Sequence, residues 1–322
     1  MCNAAPEKEG HGALRATPDG PEVRCGPAGW SYADWQGVVY AAGTRGGRQN
    51  LELLLALFPT IEVNVTFYRD VGATQIAAWC RRTEAYPDFR WCFKLSQRLS
   101  HGGGVPDPAA VNAACAAFWP ARESGRLGAL LLQFPWSLRP TPATRAALAD
   151  VASAARDAGW PLVIEVRRAG WVAPLPFPAV VPDQPSSRGN LDPGDALAAA
   201  VLQAGPASPL YFRLHGRNAA AWFDPGAGRD QRYDYLYSDA QLAGWADRLR
   251  ATAPGLPAGT PVYVIANNHF RGQAVVNALQ LQRLWSGRTP AVPASLRRVF
   301  PRELAAFPAT EPAAGHGEPP LF

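Results

Sequence analysis

Four stretches of this sequence run apolar and then turn polar at their C-terminal ends: Thr60–Phe67, Pro161–Arg167, Pro209–Gly216 and Pro261–Asn268. Read as strands, they end in Glu62 and Asn64, in Glu165 and Arg167, in Arg213 and His215, and in Asn267 with Asn268. Residues two apart on a strand share a face, so Glu62 with Asn64, Glu165 with Arg167, and Arg213 with His215 are expected side by side. A buried parallel strand is nearly continuously apolar. Charges at its end cost free energy unless they are paired, coordinated or open to a mouth. That cost, repeated at one end of several strands, locates a site.

The groups gathered there suit acid–base chemistry. Glu62, Lys94, Glu165 and His215 are the candidate catalytic residues, a carboxylate moving the proton and the histidine acting as complementary acid. Lys94, at the end of Phe89–Lys94, also suits anion binding or a Schiff base. Arg167 and Arg213 can grip a phosphate or carboxylate through paired hydrogen bonds. Trp30 and Tyr32, just after the first strand, can form an aromatic wall. Asn64, Tyr68, His101, Gln133, Asp183, Asn267 and Asn268 complete the candidate binding set. Glu62, Glu165 and Asp183 set against Lys94, Arg167, Arg213 and His215 give near balance of charge, which fits a small anionic or sugar-like substrate.

Each residue also has a purely structural reading. Glu165 and Arg167 can neutralise each other, Glu62 can pair with an arginine of another strand, and the aromatics can plug a core. A loop histidine such as His101 is commonly just solvated. Glu62, Glu165, Asp183 and His215 are an alternative ligand set for a divalent metal that would serve hydrolysis or isomerisation. A third reading is a non-catalytic protein that binds a ligand or nucleic acid. The arginines are dispersed rather than striped, which argues against nucleic acid despite a net charge of +5.

Eight β-prone runs must carry these residues: Val23–Ala28, Thr60–Asn64, Phe89–Lys94, Leu127–Phe134, Pro161–Arg167, Ala179–Asp183, Leu210–His215 and Pro261–Asn267. Helical patterns fill the gaps at Asn50–Phe58, Thr74–Thr83, Pro108–Phe118, Pro142–Ala158, Pro193–Leu202, Asp239–Thr252 and Gly272–Leu284. Thr141-Pro142, Asp192-Pro193 and Ser238-Asp239 are start signals, and Gly159 is a stop. Trp171–Pro178 reads as an irregular connection. Alternating βα units of this number predict a single (β/α)₈ TIM-type barrel over residues 22–308, whose active site lies at the C-terminal ends of the strands. No Gly-x-Gly-x-x-Gly turn follows the first strand, so the dinucleotide fingerprint of an open doubly wound sheet is missing. Residues 1–21 and 309–322, rich in Gly, Pro and charge, read as disordered tails.

Composition narrows the class. Of 322 residues, 48% are hydrophobic and 18% charged, enough for a sizeable core. The sequence shows neither a membrane-length apolar run nor a signal peptide, so a cytoplasmic protein with no membrane partner is expected. Five dispersed cysteines without a Cys-x-x-Cys pair disfavour structural zinc and a disulfide framework.

The motifs, taken in order, resemble a known family. They are Gly-Trp-Ser-Tyr-x-x-Trp at 29–35, Glu-Val-Asn-x-Thr-Phe-Tyr at 62–68, Phe-x-Lys followed by His within 91–101, and Leu-Gln-Phe-Pro at 132–135. Glu-x-Arg ahead of Trp171, Arg-Leu-His-Gly at 213–216, Tyr-Asp-Tyr-Leu-Tyr-Ser at 233–238 and Tyr-x-x-x-Asn-Asn at 263–268 follow. Together they resemble domain-of-unknown-function family seventy-two, the YecE-like proteins, over about Val23 to Trp285. The resemblance implies a TIM-type barrel with the motif residues around its mouth, and it implies no defined reaction or cofactor. The chain departs from the family pattern at Arg168, where a histidine is usual, and at Val65, where a serine is usual.

Overall fold

The computed structural model describes residues 21–43, 47–168, 170–171, 175–184, 197 and 200–310. Eight parallel strands carry the architecture: β1 (Glu22–Pro27), β2 (Thr60–Val63), β3 (Arg90–Lys94), β4 (Leu127–Gln133), β5 (Leu162–Glu165), β6 (Val180–Asp183), β7 (Leu210–Leu214) and β8 (Pro261–Ala266). Each is almost wholly buried, which explains its apolar composition. They form two four-stranded sheets of order β1-β8-β7-β6 and β2-β3-β4-β5. One buried cluster, including Ala28, Cys92, Leu131, Val163, Tyr211 and Ile265, draws side chains from both sheets. The fold is therefore α/β with parallel sheets facing a shared interior.

The sheets touch at two seams, each a single parallel bridge rather than a ladder: Ala28 with Glu62, and Ile164 with Ala179. At one seam Gly29 N–H donates to the Glu62 carbonyl, and at the other Ile164 N–H donates to the Pro178 carbonyl. Proline explains why neither continues. Pro27 lies two residues before Gly29 and faces the same neighbour, and Pro178 faces β5, yet neither has an N–H to donate. The first seam is also very close. A Cβ on Gly26 would lie 1.9 Å from the Thr60 carbonyl oxygen. Gly26→Ala should therefore lower stability by about 1–3 kcal/mol or more through forced backbone movement, read as a lowered urea midpoint.

Six helices of eight residues or more are described: α1 (Gly47–Leu57), α2 (Ala73–Arg82), α3 (Pro108–Cys115), α4 (Pro142–Asp157), α5 (Asp239–Thr252) and α6 (Gln273–Ser286). The expected caps are present. Thr141 with Thr144, and Ser238 with Gln241, form reciprocal capping boxes at the starts of α4 and α5. Most of the expected Pro193–Leu202 helix lies outside the described residues, as do the leader up to residue 20 and the tail from 311. Tail residues Ala309–Thr310 pair with Val292–Pro293 instead of being free. The second strand is shorter than Thr60–Phe67 suggested. It stops at Val63, and Val65–Tyr68 makes a turn of helix held by Thr66 Oγ1, which donates to the Lys94 carbonyl at 2.6 Å.

Candidate active site

The C-terminal ends of β2, β4, β5 and β7 meet in one buried ionic network. Arg213 is its centre, 1% exposed. Its Nε donates to Glu62 Oε2 at 3.0 Å and its Nη2 to Glu62 Oε1 at 2.7 Å. Its Nη1 donates to Glu165 Oε2 at 2.6 Å. Arg167 Nε closes the row on Glu165 Oε1 at 2.7 Å. The Tyr211 hydroxyl adds a bond to Glu62 Oε2 at 2.9 Å, and Gln133 Oε1 accepts from Arg167 at 3.0 Å and from Arg213 at 3.4 Å. All four carboxylate oxygens are thus engaged, which is what makes charge tolerable here. Burial pushes the Glu165 carboxyl up, but Arg213, Arg167 and His215 outweigh it and hold the group well below the usual carboxylate range.

His215 sits behind this row, fully buried. Asn267 Nδ2 lies 2.9 Å from its Nδ1, and its Nε2 lies 3.4 Å from Glu165 Oε1. An ionised carboxylate only accepts, so Nε2 carries the proton and Nδ1 accepts from the Asn267 amide. Burial lowers the His215 pKa to about 3, against the pull of Glu165. As pH falls below 6.5 the unfolded chain takes up a proton that the folded chain refuses, so stability drops. The loss should reach about 3 kcal/mol near pH 4, increased by Glu165, and His215→Gln should remove most of the histidine share in urea titrations across that range.

Lys94 differs from its cationic neighbours. It is 7% exposed, and among the described residues its ammonium makes no ion pair. Its Nζ stands 3.6 Å from the centroid of the Phe67 ring. Burial first, then the Arg213 and Arg167 charges, lower its pKa to about 7.

These groups open into a cavity of ≈ 1500 Å³. Trp30, Tyr32, Asn64, Tyr68, Lys94, His101, Gln133, Arg167, Arg213 and Asn267, all expected from the sequence, line it. Tyr32 stacks on His269 at 4.4 Å, and Tyr233 meets His269 at 5.1 Å and Trp222 at 5.5 Å. Trp30 meets Trp79 edge-on at 5.8 Å. His101 Nδ1 lies 2.8 Å from Ser100 Oγ, and partial burial with the Lys94 and Arg167 charges lowers its pKa.

The structure corrects several expectations. Asp183 is not in the cavity: both its oxygens accept from Arg217, at 2.8 and 2.6 Å, and Trp245 Nε1 donates to it as well. Asn268 points away from the site, its Nδ2 donating to the Tyr235 carbonyl and to Asn277 Oδ1, both at 2.8 Å. It is a strut for the segment that presents Tyr233. Asn64 is not a strand residue beside Glu62, since it begins the helical turn. Its Oδ1 is nonetheless buried without a hydrogen-bond partner among the described residues. The alternative metal set of Glu62, Glu165, Asp183 and His215 does not assemble: among the described residues no three His, Cys, Asp or Glu side chains are placed to hold an ion. The oxygens of Glu62 and Glu165 are already taken by guanidinium and phenol groups. Charge balance fails too. Arg69, Arg82, Lys94, Arg167, Arg213 and Arg232 line the cavity, and no aspartate or glutamate among the described residues does.

Sequence reading missed Arg69, Trp79, Arg82, Trp222, Arg232, Tyr233 and His269 as wall residues. Trp79 and Arg82 share a face of α2 at helical spacing, which was a readable signal. Tyr211, two residues before Arg213, was another. The turns carrying Trp222 and Arg232 had none.

The family model described as "Protein of unknown function DUF72" matches residues 24–302. The chain belongs to the DUF72 family. Its relatives include the UPF0759 protein YunF of Bacillus subtilis (strain 168), 25% identical over 287 residues that cover 83% of this chain and 98% of YunF. Among solved structures, a DUF72 family protein of Thermotoga maritima MSB8 is similar with a TM-score of 0.63 and 26% identity, covering 81% of this chain and 98% of that one. A DUF72 family protein of Enterococcus faecalis V583 is similar with a TM-score of 0.63 and 23% identity, covering 82% and 95%. The DUF72 membership agrees with the ordered motifs. Where the family pattern has a histidine, Arg168 stands outside the cavity lining. No helix among the described residues is long and apolar enough to cross a membrane.

Proposed function

We propose that this DUF72 protein is an enzyme acting on a small anionic or sugar-like substrate by proton transfer at the C-terminal ends of its strands. The single observation that carries the reading is a cavity lining that is cationic and, among the described residues, free of Asp and Glu, backed by carboxylates already committed to arginine. A cavity of that sign concentrates anions and discriminates against cations. In this reading the two sheets are halves of one closed (β/α)₈ barrel forming a single domain over residues 22–308. The shared interior cluster and the two bridging seams support it.

Roles follow from access. Glu62, Glu165 and His215 were the expected proton carriers, but each is buried, and the oxygens of both carboxylates are taken up within the network. They act instead as positioning residues that hold Arg213 and Arg167 toward the substrate. Lys94 faces the cavity and, with a pKa of about 7, moves the proton at neutral pH. Asn64, Asn267 and Gln133 line the cavity and supply neutral hydrogen bonding for hydroxyl groups.

Thermal-shift titration with phosphorylated sugars, carboxylic acids and divalent metals tests this. Anions should raise the melting temperature by mass action. Arg167→Ala should weaken that binding at least about tenfold, and because it leaves Arg213 alone against both Glu62 and Glu165, urea unfolding of the same variant separates lost binding from lost stability. Stabilisation by metals and none by anions would reverse the assignment. Anion binding without turnover would make the protein a binding module.

A further inference from the structure

Of the 31 lysine and arginine residues, only Lys8 and Lys94 are lysine. A chain that meets nearly every other need for positive charge with arginine keeps a primary amine at the base of its cavity. Salt bridging and anion binding are tasks arginine performs as well or better. An amine differs in two respects: it can lose its proton, and the free base can attack carbon.

The geometry around Lys94 suits attack. Its backbone is fixed, because the Lys94 carbonyl accepts from Thr66 and its strand pairs on both sides with β2 and β4. Its tip lies over the Phe67 ring and lines the cavity, making no ion pair among the described residues. Arg167 and Arg213, which line the same cavity, each already hold a carboxylate. Their two charges are offset by Glu62 and Glu165, and the excess positive charge at the cavity comes from Lys94, Arg69, Arg82 and Arg232, so an anionic substrate supplies the missing counter-charge.

We propose that Lys94 forms an imine with the carbonyl carbon of an anionic oxo substrate, a 2-oxo acid or a phosphorylated ketone or aldehyde, whose anionic group lies against Arg167 and Arg213. The inference deepens the proposed function and rests on its anion site, with Nζ acting as the nucleophile in place of the proton carrier. Neutral Nζ adds to the carbonyl carbon, a C–N bond forms, and the proton leaving nitrogen goes to the carbonyl oxygen. The proton that the ammonium gave up to water on becoming neutral returns to the resulting hydroxyl, which leaves as water and yields the iminium. One water is released and nothing is oxidised or reduced. The iminium carries the same single positive charge as the ammonium it replaces, so the network needs no new partner. The lowered pKa of Lys94 leaves roughly half the amine free at neutrality, consistent with this role.

Borohydride trapping on the full chain decides it. The protein is incubated with pyruvate or dihydroxyacetone phosphate, with lactate and glycerol 3-phosphate as carbonyl-free controls, then reduced and mapped by peptide mass spectrometry. Only Lys8, Lys94 and the amino terminus can carry the adduct, so assignment is unambiguous on the unsubstituted chain and does not require a variant to fold. The expected result is a saturable adduct on Lys94, formed at least about tenfold faster than on Lys8 and lost in Lys94→Arg. Labelling by pyruvate alone assigns a carboxylate substrate, and labelling by dihydroxyacetone phosphate alone a phosphate. If the anions raise the melting temperature but Lys94 is labelled no faster than Lys8, the imine is overturned and the anion site stands. If they neither bind nor label, both readings fall.

Discussion

Arg213→Ala should cost about 3–5 kcal/mol of folding stability, the largest loss expected from any single side chain of the network. Arg213 is buried and bonded to both Glu62 and Glu165. Without it Glu165 keeps Arg167, but Glu62 keeps only the Tyr211 hydroxyl. A buried carboxylate with one neutral donor is what makes breaking such pairs expensive. The second substitution Glu62→Gln in the same background should therefore recover part of the loss, because it removes the orphaned charge. Arg213→Lys should not recover it, since an ammonium cannot bridge two carboxylates through a planar fork. Urea unfolding of the single and double variants checks the series. A loss under about 1 kcal/mol for Arg213→Ala would show that the network is solvated and contributes little.

Lys94→Met should make the protein more stable at acidic pH and inactive at every pH. The folded chain holds Lys94 at a pKa of about 7, against 10.5 for an ordinary lysine. Between those values the unfolded chain binds a proton that the folded chain does not, so native stability rises with pH. Below about pH 7 the buried ammonium is a full penalty. Relative to Lys94→Met, the unsubstituted protein should gain about 2–3 kcal/mol between about pH 7 and about pH 9. Parallel stability curves for the two proteins would place Lys94 in water rather than in the cavity.

Much of the fold and part of the site can be read without coordinates, for identifiable reasons. The strands were legible because each is buried on both faces and bounded by Pro, Gly or charge, as at Pro261–Ala266 before Asn267. Helix starts were legible where a capping side chain precedes proline, as at Thr141-Pro142. Glu62, Glu165 and Arg213 stood out because charge at the end of an apolar run needs a partner. What the pattern could not give was the partner's identity. Asp183 looks like Glu165 in one dimension, yet its strand neighbours hand it to Arg217 and Trp245. Asn268 and Asn267 are adjacent, and one side chain supports a loop while the other faces His215. The turn after Val63 depends on Thr66 reaching the backbone of β3, a long-range bond with no local signal. Gly216, just beyond the end of β7, has φ +92°, and a Cβ there would meet Tyr235 at 2.7 Å, a close approach that depends on tertiary placement. The walls built by Trp222 and Arg232 depend on tertiary placement alone.

Lys94 faces a cationic cavity that no Asp or Glu among the described residues lines, and titration of its amine tests that placement most directly. Selective isotopic labelling of lysine gives only two side-chain signals, from Lys8 and Lys94, which can be followed by NMR across pH. One midpoint near 10.5 and another at about 7, the latter rising when inorganic phosphate is added, is the result expected. Two coincident midpoints near 10.5, unmoved by phosphate, would contradict the account.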